Sequence, residues 1–574
     1  MSAQYDSSIL AESQSDPDHP QFEFTSRKVV SVPDINNGQY SANTIDFDLN
    51  SLAANNQFID WRAAYVSIPL IMTVSGHTTA VTTVVAANPS ATPPVVGSTT
   101  TTYTNNNQKQ LFAASLKSCT ANLIHSMSVQ LNNNTLIPIT PFSNLMVNYK
   151  MLHEYSLDDV HNKGSVIGMS KLSPESQSYQ STLPSARGIG SINNKVKEDA
   201  LFDPDTGYSF LQNKERLERM KRSSFYDKST ENASMMKSTL LNDTMKDGVQ
   251  VSSDGLVVYQ ILATIKMDQL HDYFEKVGLI KNSNYRMIFH TNANSSCTLS
   301  LTNKLISDVS ISSPNKTLPF QVSPIDEGLP VINTTSSIVV KLDVVKSSVT
   351  SLGVATEYKH PQTQCRMYVP LVSMNAELES IYLKDNVKTV LFNDFHVYNS
   401  GNLSNIDKNA TVNTLLSNGL TRIRRLIVMP FLNAKSNGNK GFGPMESCFC
   451  DEPSTLASPY LHIDDFNVTL SNVNVYPQNI KYNFEHFLNE IHSDGSLGAG
   501  LNGQMSSGLI NQQTFDTYPH LVVNLERKSK SGDDVPQSIG LTFKNASSFT
   551  VDYTVIIEYQ REVHIDKSTG MIII

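Results

Sequence analysis

The stretch Phe466 to His492, FNVTLSNVNVYPQNIKYNFEHFLNEIH, constrains this chain more than any other, because a version of it already stands at Met127 to His153. The two align without a gap at a spacing of 339 residues: Met127 falls on Phe466, Val129 on Val468, Leu131 on Leu470, Asn133 on Asn472 and Pro138 on Pro477. In each copy the apolar residues alternate with Ser, Gln, Asn or Thr, the pattern of a strand with one buried face. A proline-bearing turn follows. Leu145, Tyr149 and Leu152 in one copy, and Phe484, Leu488 and Ile491 in the other, then predict a short amphipathic helix. A second pair precedes the first: Trp61 to Ile71, WRAAYVSIPLI, lies over Arg422 to Leu432, RIRRLIVMPFL, with Pro69 over Pro430. Two matched elements in the same order predict an internal duplication.

A chain of 574 residues has room for two or more domains, each with a full core. Only 17% of residues are charged, while Ser, Thr and Asn run through strand-like segments separated by Gly- and Pro-containing turns, a composition that favours an all-β protein. The net charge of −9 argues against a protein that grips nucleic acid over much of its surface. Residues 1–26 carry Asp6, Glu12, Asp16, Asp18 and Glu23 and no Lys or Arg, so no basic arm is expected there. No signal peptide and no membrane span is read, and a soluble protein made in the cytosol is expected. Five scattered cysteines, Cys119, Cys297, Cys365, Cys448 and Cys450, do not make a disulfide framework and are expected to be reduced. Ten Asn-x-Ser/Thr sequons, including Asn232, Asn242, Asn315, Asn402 and Asn467, follow from composition and would matter only in a secreted protein.

Residues 1–40, with Pro17 and Pro20, read as a disordered or strapping N-terminal arm. Strands begin near Thr44 to Leu49, and Trp61, the sole tryptophan, starts a core strand. Thr73 to Thr104 reads as a long surface loop, consistent with the first copy carrying 22 more residues than the second between its proline and its next strand. A larger excursion, Ser156 to Gly255, follows the first helix and includes a charged helix at Lys214 to Arg222, KERLERMKR, expected to be solvated. Both copies then lead into Leu-Val-Val, at Leu256 and at Leu521. A short helix at Leu270 to Val277 and a strand at Tyr285 to His290 follow in the first half; strands at Ser538 to Phe543 and Val551 to Glu558 close the second. The boundary is placed near 360, giving a first half at 41–360 and a second at 361–574. Arg366 to Leu371 is expected to open the second half, and Val387 to Tyr398 to be the counterpart of the strand at Thr44.

The motifs of common chemistries are missing from the sequence: there is no HExxH, no CxxC pair, no His-x-His and no GxSxG. Cys448-Phe449-Cys450 with Asp451 and Glu452 has poor metal-ligand spacing and reads as a loop with two free thiols. The glycines at 495, 498, 500 and 503 lack the Lys-Ser/Thr of a phosphate-binding loop, and Gly188-Ile189-Gly190 is weaker still. Paired acids such as Asp158-Asp159 and Asp464-Asp465 belong to strand ends and turns, and one tryptophan gives a sugar little to stack on. The expectation is therefore no catalytic, cofactor-binding or metal-binding residue, no cofactor, and no enzyme.

In the second half, RIRRLIVMPFL is followed by Ser458-Pro459, FNVTLSNVNV, the aromatic helix YNFEHFLNEI, HLVVNLERK and TVIIEYQREVHIDKSTG. In that order, and with the duplication, the chain resembles the double jelly-roll major capsid proteins of adenovirus-like double-stranded DNA viruses, particularly those of virophages and polinton-like viruses. The resemblance implies an all-β fold of two tandem jelly-roll β-sandwiches with short helices and long surface loops. It implies a homotrimer that forms pseudo-hexagonal capsomers in an icosahedral virion shell, synthesised in the host cytoplasm and not secreted. Its partners would be neighbouring capsomers, penton and minor capsid proteins, and a host receptor met through the loops, with no strong direct binding of nucleic acid. The long loop at Thr73 to Thr104 departs from that pattern. A penton or glycan-binding attachment protein, and a β-sandwich hydrolase, are the alternatives.

Overall fold

The computed structural model describes most of residues 24–162 and 249–573, with a short ladder at 202–203 and 208–209; the main stretches outside it are 1–23, 86–97, 163–201, 210–248, 325–335, 434–444, 451–461, 494–507 and 527–534. Two sets of eight strands carry the architecture. The first is β1 (Phe24–Pro33), β2 (Thr44–Asp48), β3 (Tyr65–Thr79), β4 (Ile124–Leu131), β5 (Asn134–Ile137), β6 (Val257–Lys266), β7 (Tyr285–Thr291) and β8 (Arg366–Met374). The second is β9 (Val387–Tyr398), β10 (Thr411–Leu420), β11 (Ile423–Leu432), β12 (Ile463–Leu470), β13 (Val473–Asn474), β14 (Leu521–Asn524), β15 (Gln537–Asn545) and β16 (Val551–Asp566).

The pairing is the same in both. In the first set the orders are β1-β8-β3-β6 and β2-β7-β4-β5; in the second they are β9-β16-β11-β14 and β10-β15-β12-β13. All these ladders are antiparallel, and two four-stranded sheets connected in this order make a jelly roll. The protein is thus two tandem jelly rolls. The duplicated stretch occupies the same place in each: β4 lies between β5 and β7, and β12 between β13 and β15.

Local chemistry accounts for the shared features. Met127, Val129 and Leu131 of β4, and Phe466, Val468 and Leu470 of β12, are all buried, each fully buried side chain contributing roughly 1.5–3 kcal/mol. Both strands reverse through a two-residue turn whose residues are left-handed, Asn132 (φ 49°) and Asn133 (φ 66°) in one and Ser471 (φ 50°) and Asn472 (φ 63°) in the other. That backbone matches the twist of a tight hairpin, and Asn tolerates it better than most residues. The matched prolines also have a reason. Pro69 sits where one neighbour of β3 changes from β8, paired to 65–67, to the inserted strand Ser336–Val344, paired to 70–78. Pro430 lies past the last β11–β14 pair at Val428, so each proline stands where the ladder on one side of its strand is interrupted.

Several expectations change. Arg366–Met374 does not open the second half: as β8 it pairs with β1 along Pro33 to Phe24 and with β3, completing the first roll. A boundary at 360 cuts the first roll because the strand returns to its sheet only after the insertion at 295–359. Residues 24–33 of the expected arm are a strand for the same reason; 1–23 lie outside the described residues. By pairing, the counterpart of Val387–Tyr398 is β1, and that of Thr44–Asp48 is β10. Thr73–Thr79 belongs to β3, and Thr83–Val85 pairs with Ser98–Thr100, so part of the expected loop is an extended hairpin. Trp61 is buried in a 3-10 turn ahead of β3, its ring 4.6 Å from Tyr285. The helix at 214–222, the glycines at 188, 190, 495, 498, 500 and 503, and Cys450 lie outside the described residues.

The two hairpin turns test the duplication at the level of the backbone. Asn133→Val and Asn472→Val, both at exposed positions, should each destabilise the protein by about 1–2 kcal/mol, while Asn→Gly should not. Urea denaturation midpoints of the four variants check this.

Candidate functional site

Chain direction settles where the connections lie. Because neighbouring strands are antiparallel, the turns β2–β3, β4–β5 and β6–β7 share one end of the first roll, and β1–β2, β3–β4, β5–β6 and β7–β8 share the other. The long excursions, 80–123, 138–256 and 292–365, all leave from that second end. The second roll repeats the asymmetry, with its longest connections, 433–462 and 475–520, at the corresponding end.

The rolls stand side by side and the same way up. At the short-turn end α2 (Ala376–Lys384) links β8 to β9. There Tyr382 Oη donates to Leu279 O (2.7 Å), and Lys281 pairs with Glu379 (2.5 Å). The turn after β16 docks on the first roll as well: Asn132 Nδ2 donates to Gly570 O (2.8 Å) and Asn282 Nδ2 to Ser568 O (2.9 Å). At the long-loop end, residues from the β11–β12 connection reach back to the first roll, where Leu318 N donates to Met445 O (2.9 Å) and Val322 N to Cys448 O (2.7 Å).

Between these ends runs a polar seam. Asp394 of β9, buried, accepts from Arg561 Nη1 of β16 (2.8 Å) and from His271 Nε2 of the first roll (3.4 Å), while Arg561 also donates to Leu136 O (3.0 Å). His271 Nδ1 accepts from Tyr273 N (3.2 Å), which leaves the ring proton on Nε2 facing Asp394. Burial alone would raise the Asp394 carboxyl, but the hydrogen bonds from His271 and Arg561 and the Arg561 charge outweigh it and hold it at about 2, below the ordinary 3.8. Asp272 accepts from Asn393 N (2.8 Å), a second bond across the seam. Arg425 and Glu558 form a buried ion pair at 3.1 Å.

The first helix of the repeat, α1 (Ser143–Glu154), packs into this seam and is buried nearly all round. Its expected apolar stripe is therefore only part of its contact. Burial lowers the Lys150 amine, but Glu154, Asp272, Glu558 and Glu275 around it outweigh that and raise it. His153 Nδ1 stands 2.6 Å from Tyr149 O, an acceptor only, so its Nε2 is free to accept from His520 Nε2 of the second roll at 3.0 Å. His153 also packs 5.6 Å from Phe487 of α3 (Phe484–Ser493), the second helix of the repeat. Burial, then His520, holds His153 well below its ordinary value. The seam encloses a cavity of about 10 Å³ lined by Lys150, His271, Asp272, Asp394 and Glu558, room for about one water molecule, so these charged groups face one another and have no space for a substrate.

None of these seam residues was singled out from sequence. Asp394, His271, Arg561, Lys150 and Glu558 are far apart along the chain, and the only local signal is charge inside the apolar strand TVIIEYQREVHID. The paired acids are placed otherwise than at strand ends and turns: Asp158-Asp159 are helical, with Asp159 Oδ2 accepting from Ser156 N (3.0 Å), and Asp464-Asp465 sits at a bulge inside β12. Cys119, Cys297, Cys365 and Cys448 are free thiols. Among the described residues no group of three His, Cys, Asp or Glu is placed to hold a metal ion, and no helix is long and apolar enough to cross a membrane.

Two jelly rolls of one strand order, upright and joined by a buried seam, define a double jelly-roll protein. Among solved structures the chain resembles one of the Sputnik virophage determined by cryo-EM (12% identity, 96% of this chain and 89% of that chain, TM-score 0.47). It also resembles the Faustovirus major capsid protein (11%, 95% and 92%, TM-score 0.44) and the mavirus major capsid protein (10%, 97% and 93%, TM-score 0.41). No protein-family model and no curated protein matches the chain.

The seam has a pH signature. Asp394 titrates lower folded than unfolded, so its contribution is present above the unfolded value and is lost as pH falls from about 4 to about 2. The wild-type protein should lose about 2 kcal/mol more than Asp394→Asn across that window, measured as urea stability against pH.

Proposed function

We propose that this chain is the major capsid protein of a double-stranded DNA virus, a structural protein and not an enzyme. The observation that carries the proposal is the parallel stance of the two rolls, with short turns at one end and every long excursion at the other. A shell subunit needs this arrangement: strands upright to the shell, a compact base, and an outer end where loops can grow without disturbing the frame. The rolls divide the chain at 24–374 and 387–573, with α2 as the bridge. Two wedges of one plan per chain and three chains per ring give six similar wedges, which tile a hexagonal lattice by closed symmetry. The seam makes each pair of wedges one body, because separating the rolls would break the bonds of His271 to Asp394, of Asn393 N to Asp272 and of Arg561 to Leu136 O.

The chain's partners are then two further copies of itself, neighbouring capsomers, and penton and minor proteins that close the shell, with any receptor met at the long-loop end. With a net charge of −9 it does not condense the genome itself. Its place is the virion, after synthesis in the host cytoplasm.

Light scattering on the purified protein should give the mass of three 63.4 kDa chains, and negative-stain micrographs should show shells or flat hexagonal arrays. A stable monomer at high concentration, with fields free of arrays, would contradict the proposal.

A further inference from the structure

The larger sheets of the two rolls present the same outer face in different states. In the second roll one row across that face runs Phe395, Glu558, Arg425 and Asn524, paired strand to strand, and all four are buried. It is the outer face because Tyr553, five residues before Glu558 on β16 and so on the opposite side, packs 4.5 Å from Phe543 of β15 in the roll's other sheet. Part of the cover comes from the first roll: Met146, Val147 and Lys150 of α1 line one small cavity with Phe395 and Glu558. Among the described residues, the matching row of the first roll lies open. It is Ser31, Tyr368, Tyr65 and Lys266, on β1, β8, β3 and β6. Ser31 and Lys266 are exposed, and the two tyrosines, stacked at 4.9 Å, are half-buried. Beside them stand Val29, 58% exposed, and the exposed Arg27 and Arg366. A shift of one row changes nothing, since Ile556, Ile427 and Val522, next along the same face of the second roll, are buried as well.

We propose that this face of the first roll is an interface that receives α3 from a second copy of the chain, which rests on the reading above that copies of the chain assemble. α3 is the duplicate of α1, 339 residues later, so Glu485, His486 and Asn489 stand where Met146, Val147 and Lys150 stand in α1. Their states differ. Met146 and Val147 are buried in the seam, whereas Glu485 and Asn489 are exposed and His486 is half-buried. One chain thus carries an uncovered helix face on its second roll and an uncovered sheet face on its first, each the duplicate of a surface already engaged in the seam. Its own two rolls already meet through the other pair of surfaces, so the occupant that fits is another copy.

Charge agrees with that occupant. Arg366 Nη1 donates to Ser31 Oγ (3.2 Å) and Asp60 meets Arg27 only at 3.5 Å, so the sheet face keeps a cationic character beside its tyrosines. Glu485 brings the opposite charge, and Asn489 a side chain able to bond a tyrosine hydroxyl. Stacked tyrosines give a rigid, partly apolar platform that ends in hydroxyls, a surface suited to anchor a protein contact. The contact is head-to-tail, the first roll of one chain against the second roll of the next. It therefore repeats from chain to chain and ends only when a ring closes.

The test co-expresses two single variants of the full-length chain, Val29→Cys and Asn489→Cys, both at exposed positions, so that a link from position 29 to position 489 can form only between chains. A short bis-maleimide should give that link as a cross-linked peptide pair in mass spectrometry, and neither variant expressed alone should give it. Glu485→Lys should weaken assembly at least roughly tenfold, read by light scattering across a dilution series, and salt should weaken the wild-type assembly. A trimer in which position 29 is not linked to 489, or is linked to position 29 of another chain, overturns the interface and leaves the trimer standing, as does Glu485→Lys that assembles as tightly as the wild type. Links from 29 to 489 in open chains of many copies support the interface and overturn the trimer. A monomer overturns both.

Discussion

The ladder between β1 and β8 is the interaction on which the rest depends. Residues 24–33 and 366–374 come from opposite ends of the first roll's chain, and their pairing with each other and with β3 completes its larger sheet. The excursions in between can then be long, because each begins and ends on strands already fixed in the frame. The same ladder ends where α2 begins, so it also sets where β9 starts and hence how the second roll stands beside the first. A loop of this size is costly to close by entropy alone, and only a continuous strand pairing with a buried face repays it.

The polar seam follows from that placement. Charged groups are uncommon inside a β-sandwich, and here they meet between two of them, each with a partner from the other roll or from a neighbouring strand. Such a seam adds less net stability than an apolar one of the same size, but it favours one register, since a shift would break the bonds of His271 to Asp394, of Asn393 N to Asp272 and of Arg561 to Leu136 O. For two rolls held side by side at a fixed angle, register is the property that matters.

Much of the frame was legible in the residues. The repeat at Met127 and Phe466 marks the same strand in both rolls, and even the conformations of Asn133 and Asn472 agree. Pro69 and Pro430, matched only by position, mark interrupted ladders in both sheets. The boundary was not legible, because β8 lies beyond a long insertion and beside the next element, and its apolar pattern says that it is buried without saying in which sheet. The strand at 24–33 was missed for a related reason: it is an edge strand, exposed along most of its length, so it carries no alternation to read. The seam was invisible because its partners are joined by the fold alone, as Asp394, His271 and Arg561 show.

Native-state hydrogen exchange on the full-length protein tests the closing ladder most directly. The amides of 24–33 and 366–374 should become exchangeable together, in one opening step shared with β3 and separate from the inserted hairpin at 346–359. If 366–374 instead opened with β9 while 24–33 exchanged freely, the first roll would not be closed by its own two ends, and the account of two equivalent wedges would be contradicted.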